Sequence, residues 1–73
     1  MYGGIKQMEC TMFQVIAFLN NFSNKDRKFK RVGDDKFKLF KGVYGDLMIE
    51  LNGTYRPCPV FLYMQDKWTL EKE

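Results

Sequence analysis

Apolar residues recur at the spacing of an α-helix near the beginning of the chain. The stripe that they form, at i, i+3, i+4, i+7 and i+10, consists of Met12, Val15, Ile16, Leu19 and Phe22. Thr11 and Gln14 have the spacing of a capping box, in which their side chains satisfy free backbone N–H groups at a helix start. The pattern predicts a helix over about 11–22. Further apolar residues widen the stripe, so we expect most of the helix to be buried, in the core or in a subunit contact.

After the helix the apolar period changes to two, which indicates β-strands. Residues 29–32 and 36–40 flank Gly33-Asp34-Asp35, a polar turn with a glycine, and together they predict a short hairpin. Alternation places Phe37 and Leu39 on one face of the second strand. The lysines of that strand then lie on the other face.

A second hairpin follows around Asn52-Gly53, because both residues accept the positive φ that a type I′ turn requires. The longer strand before this turn is predicted over residues 43–51. The strand that folds back on it is predicted over residues 54–56. Pro57 and Pro59 cannot donate ladder hydrogen bonds, so this strand ends there or lies at an edge. The inner face of the longer strand is expected to consist of Leu47, Ile49 and Leu51.

The end of the chain predicts one more strand. Residues 60–64 fit either a buried strand or a short helical turn, whereas 67–71 alternate, with Trp68 expected in the core. The predicted fold class is α+β, with one N-terminal helix packed on a small antiparallel sheet of four to five strands. We expect a single domain over 11–73 and an N-terminal extension over 1–10.

Composition narrows the chemistry that is open to this chain. Its 73 residues are 45% hydrophobic and 16% aromatic, include no histidine, and carry Ser23 as the only serine. Histidine base catalysis, the Ser-His-acid triad and imidazole zinc sites are therefore excluded. Cys10 and Cys58 lie far apart without a C-x-x-C motif, so we expect no metal and no cofactor; the thiols are expected to be reduced, with a single disulfide as the alternative. The sequence predicts a small binding protein and not an enzyme.

Positive charge is concentrated in one segment. Residues 25–41 hold eight Lys or Arg side chains against three Asp, a balance of +5 within a chain of net charge +3. One interpretation is a lysine-rich strand edge that discourages pairing with other sheets. The other is an anion-binding surface in which phenylalanines are interleaved with the basic residues.

A nucleotide ligand would contact two kinds of side chain in this sequence. Its phosphates would bind arginine and lysine, with arginine able to bind bidentately, and its bases would stack on strand tyrosines that have polar neighbours. We expect these charged side chains to be exposed. Each tyrosine is alternatively an ordinary half-buried strand residue, and Asp66 is expected to cap a turn. The candidate ligand- or partner-binding residues are Lys30, Arg31, Lys38, Tyr44, Tyr55 and Arg56.

Three segments resemble one group of small phage proteins. They are MFQVIAFL (12–19), KFKRV (28–32) and QDKWTLE (65–71), which correspond to a short helix, a basic strand and an acidic-aromatic ending. This order is similar to that of the Thoeris anti-defence two-like family, and the resemblance covers about 12–73.

The resemblance implies a compact α+β protein that assembles into homo-oligomers and binds cyclic nucleotide-like immune signals at subunit contacts. Some relatives act as anti-CRISPR proteins. Members of the family usually carry tryptophan shortly after the basic pair, where this chain has Val32-Gly33-Asp34. The resemblance therefore favours a phage counter-defence role more than any one ligand.

The expected function is that of a phage-encoded, non-enzymatic counter-defence protein in the cytoplasm of a bacterial host. It would sequester a nucleotide immune signal or inhibit a CRISPR or other defence effector. The alternative is a small basic nucleic-acid-binding module that uses the hairpin within 25–41; a third reading is an assembly protein without a small ligand. Small size and an apolar helix predict a homo-oligomer, a dimer or higher. No apolar stretch reaches the roughly 20 residues that span a bilayer, so no membrane contact is expected.

Overall fold

One helix and five antiparallel strands build the fold in a computed structural model, which describes residues 8–71. The strands form one sheet in the order β4-β3-β2-β1-β5, which confirms the predicted α+β class. Of the predicted extension, residues 1–7 lie outside the described part, and Cys10 bridges to Trp68. The elements are α1 (Met12–Asn20), a first 3₁₀ helix (Phe22–Asn24), β1 (Lys28–Arg31), β2 (Asp34–Lys41), β3 (Leu47–Leu51), β4 (Thr54–Pro57), a second 3₁₀ helix (Val60–Tyr63) and β5 (Trp68–Leu70).

The capping box at the start of α1 is confirmed. The Thr11 hydroxyl accepts from the Gln14 N–H at 3.2 Å, and the Gln14 side-chain oxygen accepts from the Thr11 N–H at 2.8 Å. The helix ends earlier than predicted because Asn21 adopts an extended conformation and uses its side chain to cap the first 3₁₀ helix. The core does not bury most of the helix, and burial of its other side in a subunit contact stays a prediction. Only one stripe faces the sheet, which leaves Phe13 and Phe22 exposed.

Glycine conformation explains where the strands differ from prediction. The first hairpin turns at Val32-Gly33, where Gly33 has a φ of 93°, so both aspartates belong to β2. The predicted strand 43–51 begins only at Leu47, because residues 42–46 form a tight turn. In that turn Gly42 donates to the carbonyl of Asp46 at 2.7 Å. The type I′ turn at Asn52-Gly53 is confirmed, with φ of 53° and 78°.

The core lies between α1 and one face of the sheet. Eight apolar side chains are buried there: Met12, Val15, Leu19, Phe29, Phe37, Leu39, Ile49 and Trp68. Trp68 is fully buried, as predicted, and residues 60–64 take the helical alternative as the second 3₁₀ helix. Leu51, expected on the inner face, does lie on the helix side but is 37% exposed, at the last position of β3 beside the Asn52-Gly53 turn. No helix in the described part of the chain is long and apolar enough to cross a membrane.

Candidate functional site

The sheet has two different faces, because alternate residues of each strand point to opposite sides. One face packs on α1, and we call the other the open face. Cross-strand register puts Lys30 opposite Lys38 and Glu50 opposite Tyr55, all on the open face. Arg56 is opposite the buried Ile49 and so belongs to the helix side. The six predicted residues therefore do not form a single site.

Lysines and carboxylates alternate across the open face. Lys28 pairs with Glu50 at 3.0 Å, and Lys38 pairs with Glu71 at 2.6 Å. The hydrogen bond from Lys38 to the Glu71 carboxylate raises the pKa of Lys38, with a smaller contribution from the charge of Glu50. Among residues 8–71, Lys30 makes no ion pair. Its ammonium is therefore available to an external anion, as is that of Lys36 on the same face.

The sequence predicts that the Arg31 side chain is exposed, but in the structure its contacts cover about two thirds of it. Its guanidinium binds the Asp66 carboxylate at 3.1 Å and lies over two rings, 5.3 Å from the centroid of Phe37 and 5.8 Å from that of Tyr63. Only 34% of the Arg31 side chain is accessible. The Asp66 side chain contacts this arginine, whereas the turn that it was expected to cap is closed by its backbone N–H. These contacts hold β1 and β2 against the segment that precedes β5.

An aromatic cleft opens at one end of the open face, where the turn at 42–46 rises beside β4. The rings of Phe40 and Tyr55 meet edge to face at a centroid distance of 5.6 Å, and the Lys28 ammonium lies 5.3 Å from the Phe40 centroid. Tyr44 is 92% exposed at the rim. The cleft has a volume of about 430 Å³ and is lined by Lys28, Phe40, Gly42, Val43, Tyr44, Asp46, Met48, Tyr55 and Pro57.

Two of the residues predicted from the sequence, Tyr44 and Tyr55, line the cleft together with residues that were not predicted. Phe40, Met48 and Pro57 share one cross-strand row of the open face. The alternation of β2 already places Phe40 on the lysine face, which was the signal available in the sequence. Its neighbours follow only from the pairing of three strands.

Arg56 lies in a second depression, on the helix side of β3 and β4. This groove has a volume of about 590 Å³. Cys58 also lines it, and burial raises the pKa of the Cys58 thiol to about 11, so the thiol is neutral near pH 7. Within residues 8–71, no group of three His, Cys, Asp or Glu side chains is arranged to hold a metal ion.

Comparisons of this chain with protein-family models, with curated proteins and with solved structures found no match. The two depressions and the charges around them are therefore the features of this chain that indicate its function.

Proposed function

We propose that the protein is a non-enzymatic binding protein that takes a nucleotide on its open face. The base enters the aromatic cleft, and the phosphate binds the lysines beside it. The observation that carries this proposal is the juxtaposition of Phe40, Tyr55 and Lys28 on one exposed surface, with ring and ammonium within 5.3 Å. Flat bases need aromatic faces and phosphates need cations, and the cleft supplies both.

The cleft suits the base because its surface is largely apolar. Its volume of about 430 Å³ falls in the range of small-molecule sites, roughly 300–1,000 Å³. Tyr44 and Val43 are almost fully exposed, so burying them under a ligand removes apolar surface from water. Asp46 also lines the cleft, and its carboxylate is an acceptor that a ribose hydroxyl or an exocyclic amine would use.

The phosphate would bind at the edge of the cleft nearest β1. Lys28 reaches over Phe40, and Lys30 lies two residues further along the same face, roughly 7 Å away at about 3.3 Å per residue. Lys30 is the stronger candidate for the phosphate, because Glu50 already neutralises Lys28. A phosphate at Lys30 gains a charge-assisted contact without breaking an ion pair of the described residues.

We further propose that this binding serves phage counter-defence in the cytoplasm of a bacterial host. The support is the resemblance of three segments to the Thoeris anti-defence two-like family, whose members bind nucleotide-like immune signals or, for some relatives, act on CRISPR systems. In this setting the chain acts as a dimer or higher oligomer, for which Phe13 and Phe22 offer exposed apolar surface. Light scattering that shows only an 8.7 kDa species at micromolar concentration would contradict the oligomer.

Calorimetry of the purified protein against cyclic mononucleotides, cyclic dinucleotides and candidate immune effectors tests the function. We expect a nucleotide to bind and Tyr55→Leu to weaken it by about 1–3 kcal/mol, the usual contribution of one stacked aromatic. Phe61→Leu is the matched control, because Phe61 is 93% exposed and does not line the cleft. Equal affinities of the two variants would place the ligand elsewhere, and effector binding without nucleotide binding would favour direct inhibition.

Nucleic-acid binding is a second candidate, favoured by the lysine pair of the first hairpin. Lys30 and Lys38 stand directly opposite each other; Glu71 neutralises Lys38, and Lys30 makes no ion pair within residues 8–71, so a phosphate at Lys30 would lessen the repulsion between the two lysines. A salt titration with a single-stranded oligonucleotide distinguishes this candidate. Phosphate contacts would lower log affinity by roughly 0.7–0.9 per neutralised phosphate for each tenfold rise in salt. Binding that does not change with salt would reject it.

A further inference from the structure

The outer edge of β4 exposes its backbone. All four residues of Thr54–Pro57 are exposed, and no other segment of residues 8–71 makes a backbone hydrogen bond to this outer side. The opposite edge of the sheet differs, because Cys10 bridges to Trp68 on the outer side of β5 through two hydrogen bonds of 2.6 and 2.9 Å. An uncovered edge with free N–H and C=O groups is a template for an added strand.

The pairing of β4 with β3 determines which backbone groups face outward. The Cys58 N–H donates to the Leu47 carbonyl at 3.0 Å, so hydrogen-bonded pairs fall at alternate residues from there. The backbone groups of Tyr55 and Pro57 consequently point away from β3. Tyr55 offers one N–H and one carbonyl, whereas Pro57 offers a carbonyl alone. The edge can therefore pair with a short segment of about three residues.

The groove on the helix side runs beside this edge. Ile49 and Phe37, both nearly fully buried, form its floor, while Leu51 and Leu62 remain exposed at its walls. Among residues 8–71, Arg56 is the only charged side chain that lines the groove, and it makes no ion pair there. Asn52 and Thr54 add polar side chains to the lining, so an occupant of matching chemistry carries one negative charge opposite Arg56 and apolar side chains over the floor.

We propose that β4 and this groove bind an extended peptide segment of a partner protein that carries a carboxylate between apolar residues. The segment adds antiparallel to β4 as a sixth strand, and one of its residues exchanges both backbone hydrogen bonds with Tyr55. The preceding peptide residue then stands opposite Arg56 on the groove side, where a glutamate or aspartate pairs with the guanidinium. Apolar side chains two residues to either side of it lie along the groove.

Such a peptide would contact the Tyr55 backbone, the Arg56 guanidinium and the apolar floor of the groove at the same time. A free anion would use Arg56 alone, and an uncharged apolar ligand would leave both Arg56 and the Tyr55 backbone without partners. The inference does not require the proposed nucleotide site, because the groove lies on the other face of the sheet from the aromatic cleft; the two sites adjoin at β4, where Pro57 lines both and Tyr55 gives its ring to the cleft and its backbone to the peptide.

The test is a titration of the ¹⁵N-labelled full chain with the capped peptide acetyl-Lys-Leu-Val-Glu-Val-Leu-Lys-amide, followed by NMR. We expect the amide shifts of residues 54–58 and Leu62 to change. Arg56→Gln should weaken binding about ten- to hundredfold, as for a lost charge-assisted hydrogen bond, and so should glutamine in place of the peptide glutamate. Lys36→Gln is the matched control, because Lys36 is exposed on the open face and belongs to neither proposed site; it should leave peptide affinity unchanged.

Methylation of the peptide nitrogen at the second valine tests the strand pairing itself. It removes the N–H that donates to the Tyr55 carbonyl, so the expected result is loss of binding. The proposal is overturned by shifts that avoid residues 54–58, by equal affinity for the methylated peptide, or by equal affinity of Arg56→Gln. Concentration-dependent shifts at Tyr55 without peptide would also overturn it, because a second copy would then occupy the edge. None of these results depends on whether a nucleotide binds.

Discussion

Replacing Arg31 with alanine should destabilise the fold, although the sequence predicts an exposed cation at this position. The change removes an ion pair with Asp66 at 3.1 Å and two cation–π contacts, with Phe37 at 5.3 Å and Tyr63 at 5.8 Å. A partly exposed ion pair contributes about 0.2–1 kcal/mol, and each cation–π contact at an accessible site about 0.5–1 kcal/mol. The free energy of unfolding should therefore fall by about 1–3 kcal/mol.

Thermal unfolding followed by circular dichroism measures this change. For a domain of this size about 1 kcal/mol corresponds to roughly 4–8 °C, so Arg31→Ala should lower Tm by at least several degrees. Arg56→Ala is the matched control, because Arg56 is exposed and has no ion pair among residues 8–71; its effect should stay within about 0.5 kcal/mol. Arg31→Lys should fall between them, since lysine keeps the charge but loses the planar guanidinium. Equal melting temperatures for the two alanine variants would refute this reasoning.

Three other predictions concern single sites. Leu39→Ala, at a fully buried position in the central strand, should cost about 2–5 kcal/mol and leave little folded protein in a urea titration; a loss below about 1 kcal/mol would contradict the packing. Gly53→Ala should cost about 1–2 kcal/mol in the same titration, because alanine is strained at a φ of 78°; an unchanged midpoint would argue against the turn. Because the pKa of the Cys58 thiol is raised to about 11, its alkylation in a Cys10→Ser background should accelerate about tenfold per pH unit between roughly pH 8 and 10. A rate that levels off near pH 9 would show an ordinary thiol.

Local signals in the sequence predict much of this fold. The spacing of Thr11 and Gln14 predicts the capping box, and Asn52-Gly53 predicts the type I′ turn. The alternation of Phe37 and Leu39 identifies the buried face of β2. Each of these features depends on residues that are close in sequence, so propensity and periodicity are sufficient to predict it.

The candidate site depends instead on pairings that propensity does not encode. Phe40 meets Tyr55 only because β3 lies between β2 and β4 in register. Arg31 reaches Asp66, 35 residues away, across the β1–β5 pairing and after an irregularity in register at Lys30. Both contacts follow from strand order, which is a property of the whole sheet.

The proposed site requires that base and phosphate bind together on the open face. The most direct measurement is an NMR titration of the ¹⁵N-labelled chain with adenosine monophosphate, with adenosine and ribose 5-phosphate as probes that each lack one half of the ligand. We expect the monophosphate to shift the amides of Lys30, Phe40, Tyr44 and Tyr55, and each partial ligand to bind about tenfold or more weakly. Shifts confined to α1, or equal affinity for ribose 5-phosphate and the nucleotide, would contradict the account.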